Sequence, residues 1–189
     1  MSTNSPVAAA RRVVVKLGSG VLSGGGAGLD AATLRRLAGE LVAARKTGRE
    51  IIIVSSGAIL AGRESLALKD KPSTEWKQAA AAVGQSRLMR AWEAAFAPHG
   101  VTVAQILLTA DDLRDRRRYL NARNTLLTLL RLGVVPIVNE NDTVATEEIK
   151  FGDNDEQSAL VAGLTDAGLL LLLTDQEGLF TEDPRTHPA

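Results

Sequence analysis

The 189-residue chain has no cysteine, so it can form no disulfide, no thiolate nucleophile and no cysteine-based zinc site. Aromatic residues make up only 3%, too few for the stacking platform of a single-strand nucleic-acid binder. Neither sign of charge is in excess: 22 Lys and Arg balance 22 Asp and Glu. No global field therefore draws the chain to nucleic acid or to a membrane surface. No apolar run reaches membrane-spanning length, and the opening MSTNSPVAAARR lacks a signal-peptide core. These absences suit a cytoplasmic protein. Residues 1–10 are expected as a flexible tail, and residues 11–189 as one domain able to bury a core.

What is present is an alternation of apolar runs and helical patterns. Val13–Leu17, Ile51–Val54, Val101–Leu108, Val134–Val138 and Leu169–Leu173 read as strands. Most are continuous rather than alternating, the mark of strands covered on both faces. Between them, Ala31–Lys46 places Leu34, Leu37, Ala38, Leu41 and Val42 on one stripe, with Gly48 as a stop. Ser73 or Thr74 caps a helix that runs to about Ala97, before Pro98. A single helix is expected from about Asp111 to Leu132, and another, capped by Asn154 or Asp155, through about Leu164. The fold class is α/β: a mostly parallel sheet sandwiched between helical layers. Ligands of such sheets bind beyond the carboxyl ends of the strands.

Four strand ends carry candidate chemistry. In VVVKLGSG, Gly18 and Gly20 let backbone N–H groups approach a phosphate, and Lys16 adds a cation. The string is neither a Walker A motif nor a full GxGxxG, because Ser23 stands where the third glycine belongs. The bland reading of the glycines is a strand-end turn. In IIIVSSGAI, Ser55 and Ser56 can hydrogen-bond a carboxylate, or simply cap the next helix. In NENDTV and GDND, Asp142 and Asn154 can hold an ammonium group, and Asp153 and Asp155 can orient lysines. For Asn139 and Asn141 turn chemistry is the plainer alternative. After LLLLL, Thr174 and Asp175 can line a nucleotide site. The run DDLRDRRR at 111–118 reads as a solvated helix face with internal ion pairs, and Trp76 and Trp92 as packing residues.

In this order, VVVKLGSG, IIIVSSGAILAGRE, AAVGQSRLM, QILLT, RRRYLNARNTL, VVPIVNENDTVATEEIKFGDND and LLLLTDQEGLFTEDPR resemble the glutamate 5-kinases, a family within the amino acid kinase superfamily. The strings cover nearly all of the chain after Arg11. One departure is Gly20, where the family often has Thr-Ser or Ser-Ser after KLG. Another is length: members continue through a nucleotide-binding second part, and many add a PUA domain, so the chain is expected to be C-terminally truncated at Ala189.

The resemblance implies transfer of the γ-phosphoryl of ATP, with Mg²⁺, to the side-chain carboxylate of L-glutamate. The product is L-glutamyl 5-phosphate, in the first step of proline biosynthesis. It implies Lys16 and Asp155 as catalytic residues, the first on the phosphates and the second orienting lysines. Ser56, Asp142, Asn154 and Lys150 would bind glutamate; Thr174 and Asp175, with Lys16, would bind ATP; no residue is assigned to a metal. Partners are L-glutamate and ATP, with proline as a feedback inhibitor and a homo-oligomeric state; nucleic acid and membrane are not expected. A binding-only fragment and a Rossmann-type dinucleotide-binding protein are the rival readings.

Overall fold

Five short strands run parallel through the middle of the molecule: β1 (Arg12–Leu17), β2 (Glu50–Ser55), β3 (Val103–Leu108), β4 (Val135–Glu140) and β5 (Leu169–Leu173). Their spatial order is β3-β4-β2-β1-β5, with Val13 in register between Ile51 and Leu169. In this computed structural model residues 6–66, 73–145, 154–174 and 178 are described.

Period-two alternation sends successive side chains to opposite faces of the sheet. Val13, Val15 and Leu17, with Ile51, Ile53, Val135 and Ile137, pack on one side against two long helices, α3 (Ala31–Lys46) and α5 (Thr74–Phe96). Val14, Ile52, Val54 and Val138 pack on the other against α7 (Arg116–Arg131) and α8 (Asn154–Leu164). Both faces of the inner strands β1, β2 and β4 are covered, as unbroken apolar runs imply, whereas the edge strands β3 and β5 are only partly buried. The expected three-layer α/β architecture is the one observed.

The helix expected over 31–46 has those bounds. Asp30 starts it by accepting hydrogen bonds from the backbone N–H groups of Ala32 and Thr33, and Gly48 follows it at φ 88°. Those contacts, with the Thr33 hydroxyl first among them, lower the Asp30 pKa below its ordinary value. The region 111–132 differs from expectation. Two helices lie there, α6 (Ala110–Arg114) and α7, separated by Asp115 in extended backbone. The physical reason is two N-caps in close succession. Thr109 and Asp112 form a reciprocal capping box, and the Asp115 carboxylate caps α7 through Arg118 N–H. Arg118 also pairs with Asp112 at 3.1 Å, so the ion pair of the charged run joins α7 to α6 rather than lying within one helix as expected.

Two shorter helices were not foreseen, and a third, after Ser55 and Ser56, stood only as the plainer reading of that turn. Pro6–Ala9 forms one helical turn, α1, inside the segment read as a tail; Ala10 beyond it is buried, and its carbonyl accepts from Arg49. Ser19–Ser23 forms α2, and Ala58–Leu66 forms α4. Helix α4 crosses α5 in backbone contact. A Cβ at Gly62 would lie 1.8 Å from the Ala80 carbonyl oxygen, and one at Gly84 would lie 1.8 Å from that of Ala58. Small residues are obligatory here, and α4 has no wide apolar stripe to announce it.

At one edge of the sheet, Leu171 and Leu172 of β5 are 40% and 48% exposed. No helix of the described residues is long and apolar enough to cross a membrane.

The crossing makes a paired prediction. Gly84→Ala must push two helix backbones apart, at about 1–3 kcal/mol for overpacking. Thermal denaturation should show a drop of several degrees. Gly163→Ala in α8, where a Cβ would meet nothing within 4 Å, should be neutral or stabilising by up to about 1 kcal/mol. Equal melting temperatures for Gly84→Ala and the unsubstituted chain would show that the crossing is looser than described.

Candidate functional site

All five strands point their carboxyl ends to one edge of the sheet, and the polar residues collect there. At the end of β1, alternation turns Lys16 away from Val15 and Leu17 and toward α8. It is only 5% exposed, and its Nζ lies 2.6 Å from Asp155 Oδ1 in the first turn of α8. The Asp155 side chain is 46% exposed as a whole, but the Oδ1 that meets Lys16 is itself buried. The following loop is tied down by Gly18 N–H, which donates to the Leu173 carbonyl at 3.3 Å. Exposed Thr174 therefore sits beside Gly18 at the end of β5. Gly18 has φ −69°, and a Cβ there would make only ordinary contacts. The turn itself does not demand glycine at 18, so the bare backbone is explained better by an approaching ligand than by strain.

At the end of β2 the two serines part company. Ser55 faces α5 and is fully buried; its Oγ accepts from Trp92 Nε1 at 3.1 Å and donates to the Ser56 carbonyl. The idea that Ser55 meets a ligand is thus corrected: its hydroxyl is consumed in the core, where Trp92 is also fully buried. Trp76, read as a packing residue, is 55% exposed. Ser56 turns outward. Gly57 follows at φ 106°, a left-handed conformation that favours glycine, with Leu22 and Leu29 close by. The turn delivers the chain into α4, whose first helical bond runs from Ala61 N–H to the Gly57 carbonyl.

At the end of β4, alternation points Asn139 toward α5. Its Nδ2 donates to Gln85 Oε1 at 2.9 Å, so Asn139 is a network residue rather than a turn former. Asn141 is the turn residue: its carbonyl accepts from Val144 and Ala145 N–H, and its side chain accepts from Thr143. Gln78, seven residues before Gln85 on α5, donates to the Ala145 carbonyl at 3.1 Å. Helix α5 thus holds both ends of the segment 139–145 that carries Asp142.

Asn154 opens α8 and closes the ring. Its Nδ2 donates to Ser56 Oγ at 2.8 Å and to Asn139 Oδ1 at 3.3 Å. Both amide hydrogens are then used. Within this network the Ser56 hydroxyl, already an acceptor, keeps its own hydrogen to donate, and Asn154 Oδ1 remains an acceptor. One wall can therefore offer a donor for a carboxylate and an acceptor for an ammonium group.

These residues line a cleft of about 410 Å³ that includes Ser19, Ser56, Arg63, Asn139, Asp142 and Asn154. Its size is that of a small-molecule site. Asp142 and the buried Glu140 both border it. Of the expected site residues, Ser56, Asp142 and Asn154 share this cleft, and Lys16, Asp155 and Thr174 lie at neighbouring strand and helix ends. Lys150 and Asp175 lie outside the described residues, as does Asp153. Arg63, Gln85 and Glu140 were missed as site residues. The sequence signal for Gln85 is its place seven residues after Gln78, one face of α5.

Fold and cleft together define a three-layer α/β protein with a polar cleft at the carboxyl edge of its sheet, where ligands of such sheets bind. The chain belongs to the amino acid kinase family, whose pattern matches residues 11–189. It is 55% identical to the "Glutamate 5-kinase" of Pelobacter propionicus over 179 residues, 94% of this chain and 48% of that protein. It is 57% identical to the protein of the same name from Paraburkholderia xenovorans over 186 residues, 98% of this chain and 50% of the relative. With that of Ralstonia nicotianae the figure is 55% over all 189 residues, again 50% of the relative. The chain spans about half the length of the curated relatives it matches.

The unequal burial of the ion pair yields a prediction. Asp155→Ala takes one counter-charge from a buried lysine, whereas Lys16→Met leaves a carboxylate whose Oδ1 is buried but whose side chain is otherwise 46% exposed to water. The first should cost about 1–3 kcal/mol and the second less than about 1 kcal/mol. Urea unfolding of the two variants decides this, and a larger loss for Lys16→Met would show that the pair is better solvated than its geometry indicates.

Proposed function

We propose that this chain carries the glutamate-binding face, and part of the nucleotide face, of a kinase that phosphorylates the side-chain carboxylate of L-glutamate. The observation that carries the reading is the Asn154–Ser56 hydrogen bond on the wall of a cleft that Asp142 also lines. It supplies, side by side, the acceptors an α-ammonium needs and a hydroxyl donor for a carboxylate. The names of the relatives point to the same substrate.

The chemistry suits these residues. A glutamate side chain, with an ordinary pKa of about 4.3, is already ionised at neutral pH. It can attack a phosphorus atom without a general base, so a site built from amides, carboxylates and a lysine suffices. Phosphoryl transfer asks the protein for alignment and for positive charge near the transferred group. Lys16 would provide that charge, and Asp155 would hold the ammonium in line between the cleft and the β1–β5 edge. The nucleotide would lie along that edge, beside Gly18 and Thr174. Lys150 and Asp175 are proposed for glutamate and ATP on the resemblance alone. Mg²⁺ would be held mainly by the nucleotide's phosphates, with one or two carboxylates at most. Among the described residues no group of three acidic or histidine side chains could hold it unaided. The dinucleotide-binding alternative has less support, because the strand order is not that of the doubly wound dinucleotide fold. A cytoplasmic site, a homo-oligomeric state and proline feedback belong to the same proposal and rest on the resemblance.

The test is glutamate-dependent release of ADP. It should be run on this chain and on a chimera extended to the relatives' length with the C-terminal half of the Pelobacter propionicus protein. In the active form, Lys16→Ala should lower kcat by about 10²-fold or more, the usual loss of one electrostatic stabiliser. Glutamate affinity, read by calorimetry, should change little. Asn154→Ala should do the reverse and weaken glutamate binding by roughly 10- to 100-fold. Glutamate-independent ADP release in both forms, or no glutamate binding by either, would overturn the reading.

A further inference from the structure

The residue that the reading above leaves without a task is Arg63. It borders the cleft from α4, together with Ile59 and Leu60 of the same helix face. Most arginines of this protein are either paired or solvated. Arg12 holds Glu50, Arg36 holds Glu40, Arg118 holds Asp112 and Arg123 holds Asp166. Arg45, Arg49 and Arg131 donate to carbonyl or hydroxyl oxygens. Among the described residues, those arginines that have no hydrogen bond or ion pair are exposed, with one exception. Arg63 is half-buried, has no such partner, and lies in a cleft that two carboxylates also border.

Charge complementarity identifies what would satisfy it. An α-amino dicarboxylate brings one ammonium and two carboxylates. Asp142 and Asn154 answer the ammonium. The carboxylate to be phosphorylated must face the end of β1, where Lys16 lies. One carboxylate is left, and Arg63 is the cation among the described residues lining the cleft. A guanidinium presents two parallel N–H groups that match a carboxylate in shape as well as charge. The first turn of α4 adds to the same corner. Ala58, Ile59 and Leu60 line the cleft, and their N–H groups precede the first helical bond at Ala61. The base of the arginine is held firmly, because its neighbour Gly62 is the residue in backbone contact with α5.

We propose that Arg63 binds the α-carboxylate of the amino-acid substrate and so selects α-amino acids over plain ω-amino acids. The proposal rests on the glutamate reading. The test is calorimetry with two ligands, L-glutamate and 4-aminobutanoate, which keeps the ammonium and the reacting carboxylate but lacks the α-carboxylate. The unsubstituted chain should prefer L-glutamate. Arg63→Met should lose roughly 10- to 100-fold in affinity for L-glutamate and leave 4-aminobutanoate binding within about 2-fold, so the preference collapses. Arg63→Lys, which keeps the charge but not the fork, should recover part of it. That variant also serves as the readout if circular dichroism shows that the Met variant fails to fold. Equal losses for both ligands would overturn the proposal and move Arg63 to the reacting end of the substrate. Unchanged L-glutamate affinity would overturn it as well. Failure of the unsubstituted chain to bind L-glutamate would reject the functional reading itself, and with it this inference.

Discussion

A lysine that is 5% exposed at the end of an apolar strand sets the terms for everything around it. Burial of an ammonium without a counter-charge costs several kcal/mol, so β1 can end in Lys16 only if an acceptor is delivered to it. Asp155 arrives from 139 positions further along the chain, on the first turn of α8. That turn is in turn fixed by Asn154, which bonds to the ends of both β2 and β4. One buried charge thus draws three strand ends and one helix start into a single constellation. The pair itself is buried, Lys16 Nζ against a buried Asp155 Oδ1, while the rest of the Asp155 side chain reaches solvent.

The amides around that pair illustrate how polarity can be handed along a network. Gln85 Oε1 accepts from Asn139, Asn139 Oδ1 accepts from Asn154, and Ser56 Oγ accepts from the other hydrogen of Asn154. Each acceptance leaves the next group with one defined capability. A hydroxyl that is already an acceptor is a donor toward the cleft, and an amide whose hydrogens are spent is an acceptor. The donor and acceptor that this wall presents to the cleft then depend partly on a glutamine on α5. This is why the face of α5 bearing Gln78 and Gln85 matters as much to the site as the acidic segment itself.

How far the sequence carries the reader depends on which residues face which partner. Helix α3 was legible to the residue, because five apolar side chains at helical spacing follow directly after Asp30. The strands were legible to within two residues, because each is a short apolar run bounded by polar or glycine residues, including the partly exposed edge strands β3 and β5. The break at Asp115 was not, since every residue from 110 to 131 is an acceptable helix former and the interruption comes from competing caps. Helix α4 was visible only as the helix that Ser55 or Ser56 could cap, with no bounds, for a different reason. It is held by Gly62 and Gly84 in backbone contact, which no hydrophobic period records. Within the site, Lys16, Ser56, Asp142, Asn154, Asp155 and Thr174 could be named from strand ends and family strings. The role of Asn139 could not, because it depends on which face of β4 a polar residue occupies. Counting in twos from Val135 and Ile137 would have placed it toward α5.

The same crossing of α4 and α5 gives the cleft its rigidity. One wall is the turn Ser56–Gly57 and the first turn of α4; the opposite wall is the segment 139–145, held at both ends by α5. Helix α5 touches both walls, the first through Gly84 against Ala58 and the second through its glutamines. A displacement of α5 along its axis would move both walls together and preserve the width of the cleft. A separation of α4 from α5 would instead widen it and carry Arg63 away from Asp142. The distance between the guanidinium of Arg63 and the carboxylate of Asp142 is therefore set by backbone contact between two helices. Such contact yields far less than a flexible side chain would. A cleft built this way holds its opposite charges at a fixed spacing, which is the property by which the proposed site would separate one small amino acid from another.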